Sequence, residues 1–423
     1  MAQAFESVMR GPQARAVAGT AVVNVATVLI GSVGGLFLAR LLGPSQRGEL
    51  VAIILWPATI GTLVAFGIDQ STCYWMSRRP DRARAFMSTA VAGALATGLL
   101  VAALSPWISA SIGRNPEVVR DASVVLVLTP AYIASGVWVS ALQATRISIW
   151  NLTRTTQPVV YLLGIIFLWA SGKLTLIGVV AAFAVSLIFL TGYSATVATH
   201  FVGRQFRPDL SLIGPLYKYG AKAWLSRIPE FVNVSVDQLV LSVLPGVAVA
   251  QLGNYTVAAS LSWLALPASV AFGSVAFPRI ARASDEREAR RIERISLGGA
   301  GLIAAVTIGL ICILAPFLVP KLFGAGYRDA IVALWLLAPG TVFLALDRVL
   351  GDILQGRGQP LLRSLGQGLG AILTIVLLLI LIPPFGIRGA AVASSVTYGF
   401  VFLLLMWGLR YARRSQPLTT AQP

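Results

Sequence analysis

Twelve long apolar segments, separated by mostly short connections, constrain this chain more than any other feature of its sequence. A bilayer core of about 30 Å is crossed by about 20 apolar residues in a helix, and each segment is long enough to span it. Charged residues make up only 12% of the 423 residues. We therefore predict an all-α integral membrane protein, with spans at 16–39, 49–69, 85–107, 119–142, 155–171, 174–198, 220–244, 249–274, 296–318, 329–354, 364–383 and 387–409.

The basic residues predict how the spans are oriented. The chain has 33 lysines and arginines and a formal net charge of +17. If the connections are divided by side, one set carries 23 of these residues and the other carries 8. Because cytoplasmic loops are enriched in Lys and Arg, both termini are predicted to be cytoplasmic. Topology explains the basic charge, so we expect no nucleic acid partner.

The two halves of the chain resemble each other at a spacing of about 200 to 210 residues, as sequence repeats do. For example, LTPAYI at 128–133 resembles LAPGTV at 337–342. Six spans per repeat give both repeats the same orientation, with an axis along the membrane normal. We therefore predict two six-helix bundles related by pseudo-twofold symmetry, at 1–204 and 205–423.

Two further features concern local structure. Prolines inside spans remove a backbone donor and are expected to bend their helices. The charged run at 279–294 is interpreted as a solvated cytoplasmic helix, with a partner-binding segment as the alternative. The intraspan prolines are Pro57, Pro130, Pro158, Pro229, Pro267 and Pro339.

Span seven, at 220–244, carries a polar stripe. At about 100° per residue, its polar side chains fall within an arc of about 140°. An ionised group at mid-membrane costs about 2.5–3.5 kcal/mol, so this arc must face protein or water. Two interpretations stay open: an ion network that holds helices together, or the lining of a polar cavity. The stripe consists of Arg227, Glu230, Asn233, Asp237 and Gln238.

Other parts of the chain add three candidate site residues and a candidate ion-coupling residue. Arg348 and Asp352 are four residues apart in span ten, and they would neutralise one another if they served only structure. Arg146 lies near the predicted inner mouth. Asp69, near the end of span two, is a candidate for proton or cation coupling, as is Asp237. Tyr255 is one of several aromatic residues that could stack on sugars.

Several stretches together resemble the polysaccharide or O-antigen flippases. These belong to the superfamily that includes multidrug and toxin extrusion (MATE) proteins and lipid II flippases. With the twelve spans, the resemblance covers nearly the whole chain. The stretches are FLARLLGPSQRGEL at 37–50, GIDQSTCYW at 67–75, LFGAGYRDAIVALWLLAPG at 322–340, ILQGRGQP at 353–360 and IPPFGIRGAAVASS at 382–395.

This resemblance implies a MATE-like fold in the bacterial cytoplasmic (inner) membrane. It implies a flippase that moves an undecaprenyl-diphosphate-linked glycan from the inner to the outer leaflet by alternating access. The expected partners are that glycan and the bilayer, with a polysaccharide polymerase or glycosyltransferases as candidate protein partners. No cofactor or metal is expected.

The chain departs from two related groups. Many multidrug members carry an acidic residue in the first span, where Asn24 is the most polar side chain here. Lipid II flippases typically have fourteen spans and arginines inside the first, whereas Arg15 and Arg40 lie at its ends here. A glycan other than lipid II is therefore favoured. A MATE-like, cation-coupled exporter of small molecules is the alternative.

The chemistry of the implied substrate directs attention to arginine. A diphosphate needs cationic anchors, and the guanidinium fork binds phosphate bidentately. Arg227, Arg348 and Arg146 are the candidates. An enzyme such as a membrane glycan polymerase is a third hypothesis, but the predicted outer loops are short. His200 is the only histidine, which excludes a His-dependent triad or a His-based metal site.

Overall fold

Fourteen α-helices account for nearly all of the chain that the structure describes. The structure is a computed structural model, and it describes residues 12–415 except 113–115, 245, 282 and 284. Arg10, Arg114 and Arg282, which contributed to the predicted orientation, lie outside the described residues. The helices are α1 Pro12–Val64, α2 Ile68–Arg78, α3 Ala83–Ile112, α4 Pro116–Val127, α5 Thr129–Thr145, α6 Ile147–Ala170, α7 Leu176–Val202, α8 Ile213–Val243, α9 Val249–Trp263, α10 Leu266–Ala281, α11 Glu286–Leu322, α12 Arg328–Gly356, α13 Pro360–Phe385 and α14 Ile387–Ser415.

All twelve predicted spans are mostly helical, although some of them, such as spans two, four, six and eight, include one to three non-helical residues. Helix α1 covers most of the first two and bends at Gly43, whose φ of 71° is a left-handed conformation that suits glycine. Within the described residues, nine helical stretches are long and apolar enough to cross a bilayer. Predicted span two is helical to Val64, breaks at 65–67 and overlaps the first residues of α2, which continues to Arg78.

Prolines act in two ways in these helices. Spans four and eight are each divided, and Pro130 and Pro267 stand at the second position of the following helices, α5 and α10. The missing N–H of proline costs nothing in a first turn, because that donor has no partner inside the helix. Pro158, Pro229 and Pro339 instead lie inside continuous helices.

Helix ends follow local capping chemistry. Thr175 begins α7 by accepting a hydrogen bond from the Gly178 N–H at 3.1 Å. Asp285 caps α11 in the same way through the Glu288 N–H at 2.7 Å. Glu286 and Glu288 then occupy the first turn of α11, where carboxylates interact favourably with the helix dipole.

The chain divides by contacts into two compact units. Unit 1 comprises Met1–Leu38 and Glu49–Leu225, and unit 2 comprises Ala39–Gly48 and Ser226–Pro423. This division falls inside α8, because the first turns of α8 pack within unit 1. Ser71, for example, donates to the Leu216 carbonyl at 2.7 Å. The boundary at 204/205 follows the six-span repeat rather than contacts, and it stays a prediction.

Each unit has its own apolar core. In unit 1, α2, α3 and α5 pack around Ile68, Met87 and Val137, which are almost fully buried. In unit 2, α10, α12 and α14 pack around Ile280, Leu350 and Leu405. Alanine and glycine are frequent at these contacts, as expected where helices in a membrane associate through close packing.

Residues 39–48 belong to unit 2 although they lie within α1. The Tyr327 hydroxyl donates to the Ala39 carbonyl at 2.9 Å. Two backbone contacts are so close that only glycine fits: a Cβ would lie 2.0 Å from the Val249 oxygen at Gly48, and 2.1 Å from the Pro44 oxygen at Gly253. The conspicuous GPSQRG sequence is therefore explained by packing.

The charged run at 279–294 is not simply solvated. Its second part forms the start of α11, where Glu293 is fully buried. Arg357 donates to Glu293 and, at 2.9 Å, to Glu286, while Arg413 donates to Glu293 from α14. Burial alone would lower the pKa of Arg357, but hydrogen bonds to the two carboxylates raise it above its ordinary value. We call this group the α11 ion cluster.

Candidate functional site

The side chains of the polar stripe in span seven differ in burial. Arg227 and Glu230 are exposed, whereas Asn233 and Asp237 are buried. Gln238 is half-buried. All five lie on α8 within unit 2, at the helical spacing that the sequence predicts. The buried half contacts protein, so lining of a cavity large enough for a substrate stays a prediction for Arg227, Glu230 and Gln238.

Asn233 joins three helices of unit 2. Its amide nitrogen donates to the Gln367 Oε1 at 2.8 Å, and its own Oδ1 accepts from Thr374 at 3.0 Å. The Tyr398 hydroxyl donates to the Asn233 carbonyl at 3.0 Å. Gln367 in turn donates to Asp347 at 2.8 Å. The buried polar groups are thus hydrogen-bonded to one another, as burial requires.

Asp237 lies one helical turn further along and is also buried. Its Oδ2 accepts from the Tyr255 hydroxyl and, at 3.3 Å, from Ser394. Its Oδ1 accepts from the Gln238 N–H at 2.7 Å. The groups described around this carboxylate are hydroxyl and amide donors. Tyr255 is fully buried by this contact, so its ring cannot stack on a sugar in this conformation.

A very small cavity adjoins the hydrogen-bond network of Asn233, Gln367 and Asp347. Its volume is about 10 Å³, close to the minimum for one water molecule. Glu230, Asn233, Asp347, Gln367 and Tyr398 are among its lining residues. A cavity of this size excludes a sugar or a diphosphate. It suits a water molecule or a small ion, and its polar lining supplies oxygen atoms.

The charges beside the cavity include an ion pair that the sequence does not predict. Asp352 lies 3.7 Å from Arg363, which also lies 4.0 Å from Glu230. Arg348 lines the cavity, and its buried Nε has no hydrogen-bond partner among the described residues. The direct ion pair of Asp352 is thus with Arg363 on α13, while Arg348 interacts with Asp352 electrostatically over a longer distance, so their mutual neutralisation stays a prediction.

Unit 1 contains a second polar cluster. Arg154 on α6 donates to the Oδ1 of Asn24 on α1, and its guanidinium lies 4.2 Å from the centre of the Trp150 ring. Asn151 donates to the Thr20 hydroxyl at 2.8 Å. The buried Arg154 Nε and Asn151 Oδ1 have no hydrogen-bond partner in the described part of the chain. Asn24, the most polar residue of span one, therefore binds the guanidinium of Arg154.

The remaining candidates lie elsewhere in unit 1. Arg146 is exposed between α5 and α6, with its guanidinium 5.6 Å from the centre of the Phe201 ring. Asp69 is half-buried in the first turn of α2, next to the break at 65–67. It is nine residues from the end of α2, and its role in ion coupling stays a prediction.

Sequence reasoning missed Asp347, Gln367, Arg363 and Arg154. Arg154 and Arg363 stand one residue before predicted spans five and eleven, which begin at 155 and 364, so the sequence predicts both in connections. Asp347 and Gln367 had a usable signal, since each is a polar residue inside or beside an apolar run. Their partnership could not be found, because nothing in either helix alone indicates which neighbour it faces.

The chain matches the model of the family described as polysaccharide biosynthesis protein, over residues 37–332. It is 24% identical over 195 residues to the probable low-salt glycan biosynthesis flippase Agl15 of Haloferax volcanii. That alignment covers 45% of this chain and 41% of the relative. The chain thus aligns with less than half the length of this curated relative.

Solved structures of low sequence identity share the fold. The inward closed conformation of the lipid II flippase MurJ has a TM-score of 0.76 at 15% identity, covering 92% of this chain and 87% of that one. An inward-facing multidrug resistance MATE family transporter of the MOP superfamily has a TM-score of 0.74 at 18% identity, covering 94% and 99%. The prediction of an all-α, MATE-like membrane fold is confirmed.

Proposed function

The chain belongs to the polysaccharide biosynthesis protein family, and from this premise we propose that it is a lipid-linked oligosaccharide flippase. It moves a polyprenyl-diphosphate-linked glycan from the inner to the outer leaflet of the cytoplasmic membrane by alternating access. The substrate is undecaprenyl-linked in a bacterial membrane. The family match, which covers more than half of the chain, is the observation that carries this proposal.

The arginines support the choice of an anionic lipid. Arg227 is exposed on α8 inside a predicted span, and Arg154 is held by Asn24 and Trp150 with a buried Nε that lacks a hydrogen-bond partner in the described structure. A guanidinium binds phosphate oxygens through parallel N–H donors. We therefore propose Arg227 as a diphosphate anchor, with Arg154, Arg348 and Arg146 as further candidates.

The proposal is tested with vesicles that contain the purified protein and a fluorescent undecaprenyl-diphosphate-linked oligosaccharide. A membrane-impermeant glycosidase added outside cleaves only outer-leaflet glycan. We expect the protein to convert the protected inner fraction into a cleavable one, and protein-free vesicles to retain it. A protected fraction that stays unchanged with folded protein in the membrane would contradict the proposal.

We further propose that a proton or a cation drives the cycle through Asp237. This carboxylate is buried and accepts hydrogen bonds from the hydroxyls of Tyr255 and Ser394. A charge in such a place is costly unless a proton or a cation compensates for it. Asp69, half-buried beside a helix break, is the second candidate.

A cation-coupled exporter of small molecules is the alternative function. The same buried Asp237 favours it, because ion coupling serves either cargo. The absence of an acidic residue from span one and the arginines named above disfavour a cationic drug as cargo. The vesicle experiment separates the two functions, since an exporter of this kind would leave the lipid-linked glycan in its original leaflet.

A further inference from the structure

A much larger cavity lies in unit 2, away from the polar cluster of α8. Its volume is about 430 Å³. It lies where α9, α12 and α14 begin and α13 ends. Gln251, Asp329 and Arg388 supply its polar groups, and Pro384 and Phe385 supply an apolar side. We call it the end pocket.

The polar groups of the end pocket are open to a ligand. The buried Oε1 of Gln251 has no hydrogen-bond partner within the described residues. Asp329 and Arg388 are both exposed in the first turns of α12 and α14, and no ion pair within 4.0 Å joins them to each other in the described part of the chain. An acceptor that lacks a partner is costly to bury, so a donor from a ligand would stabilise it.

These groups fit a hydroxyl-rich, uncharged ligand. A carboxylate accepts hydrogen bonds from hydroxyls, a guanidinium donates to them and an amide does both. One acidic and one basic residue leave no net positive charge to attract a diphosphate. The exposed Phe385 ring offers an apolar surface to the C–H face of a pyranose, and the volume falls within the usual range for small-molecule pockets, about 300–1,000 Å³.

We propose that the end pocket binds a sugar residue of the transported glycan. This inference deepens the proposed function, on which it rests for the source of the glycan. Lys321, Arg328 and Arg388 belong to the sparsely charged connections, so the pocket is predicted to face the outside. It would bind a sugar residue of the glycan after the head group has crossed the membrane.

The test measures monosaccharide binding to the full-length protein in nanodiscs. Saturation-transfer NMR with glucose, galactose, mannose, rhamnose and N-acetylglucosamine is expected to show binding of at least one sugar. Arg388→Ala and Gln251→Leu should each weaken that binding about tenfold or more, as loss of one hydrogen bond to a charged or buried group does. Arg328→Ala is the matched control, because this exposed arginine stands at the same end of α12 but does not line the pocket.

The result of the binding experiment does not depend on whether the protein flips the lipid. Absence of binding by all five sugars, or binding that neither pocket variant weakens, would overturn the inference even if vesicles show flipping. Arg388-dependent binding of inorganic pyrophosphate in place of sugars would also overturn it. Sugar binding that both pocket variants weaken, in a protein that fails to flip the lipid, supports the pocket and contradicts only the proposed function.

Discussion

Single residues on α8 show what helical periodicity can predict and what it cannot. The spacing correctly groups Asn233 and Asp237 with Arg227 on one side of a helix. It does not indicate that the first two are buried and the third exposed, since that depends on partners from other helices. Tyr255 and Ser394 lie 18 and 157 residues from Asp237 in the sequence. One helix carries no information about such neighbours.

At Arg227, we expect a loss of transport without a loss of folding. Arg227→Ala removes an exposed cation, so the protein should reach the membrane in normal amounts. Its rate of glycan flipping should fall about tenfold or more, the effect of losing a charge-assisted hydrogen bond. Arg227→Lys should keep part of the activity, because it retains charge but not the bidentate geometry.

The measurement is glycan export in cells, together with the membrane abundance of each variant. Lys222→Ala is the control, since Lys222 is an exposed cation near the start of the same predicted span. Glu230→Ala should do less harm than Arg227→Ala. Normal export by Arg227→Ala would refute the anchor role, and loss of the protein from the membrane would show a structural role instead.

Substitution of Asp237 is expected to change the coupling of transport to an ion gradient. Asp237→Asn keeps the shape of the side chain and an oxygen that can accept from Tyr255, but it removes the negative charge. Flipping by this variant should no longer respond to an imposed proton or sodium gradient. The readout is the initial rate in vesicles with and without each gradient, and Tyr255→Phe serves to separate loss of charge from loss of the hydrogen bond. An undiminished gradient response in Asp237→Asn would exclude this site.

At the scale of helices, the boundaries were predictable where local chemistry sets them. Pro130 and Pro267 mark the starts of α5 and α10, and Asp285 begins α11 as a cap. The burial of Glu293 was not predictable, because a run of charged residues on one helix looks solvated until other helices cover one side. Arg357 and Arg413 cover it here, from the α12–α13 connection and from α14.

The α11 ion cluster should contribute strongly to stability. Glu293→Ala removes one of the two carboxylates that accept hydrogen bonds from the buried Arg357, and removing one partner of a buried pair costs about 3–5 kcal/mol. Thermal unfolding in detergent should show a marked decrease in Tm. Arg290→Ala is the control, because Arg290 is exposed and its pair with Glu286 is a surface pair worth less than about 1 kcal/mol. Equal effects of the two variants would show that the cluster is not a stabilising unit.

At the scale of the whole molecule, the all-α membrane class followed from hydropathy and length alone, whereas the count of twelve spans stays a prediction beside the nine apolar stretches found in the described residues. The division into contact units did not, because it depends on which side chains pack together. Residues 39–48 are the clearest case: the sequence predicts them as the end of span one and the connection to span two, yet their contacts lie in unit 2. The orientation rests on loop charge and is open to a direct test.

Reporter fusions test the predicted topology. The split of 23 to 8 basic residues predicts that reporters placed after Arg414, or in the connection before α11, signal from the cytoplasm. Reporters placed beside Lys173 or Lys321 should signal from outside. Enzyme fusions that are active only on one side of the membrane provide the measurement. An outside signal from the connection before α11 would contradict the twelve-span arrangement.

The placement of residues 39–48 in unit 2 has a consequence for biosynthesis. Tyr327 follows Ala39 by 288 residues, so at about 5–20 residues per second the ribosome delivers it about 15–60 s later. Until then, this ten-residue segment can contact Val249 and Gly253 but lacks Tyr327. A polypeptide that stalls before α12 therefore leaves the Ala39 carbonyl without its Tyr327 donor. We expect such unfinished chains to be the ones that membrane proteases remove first.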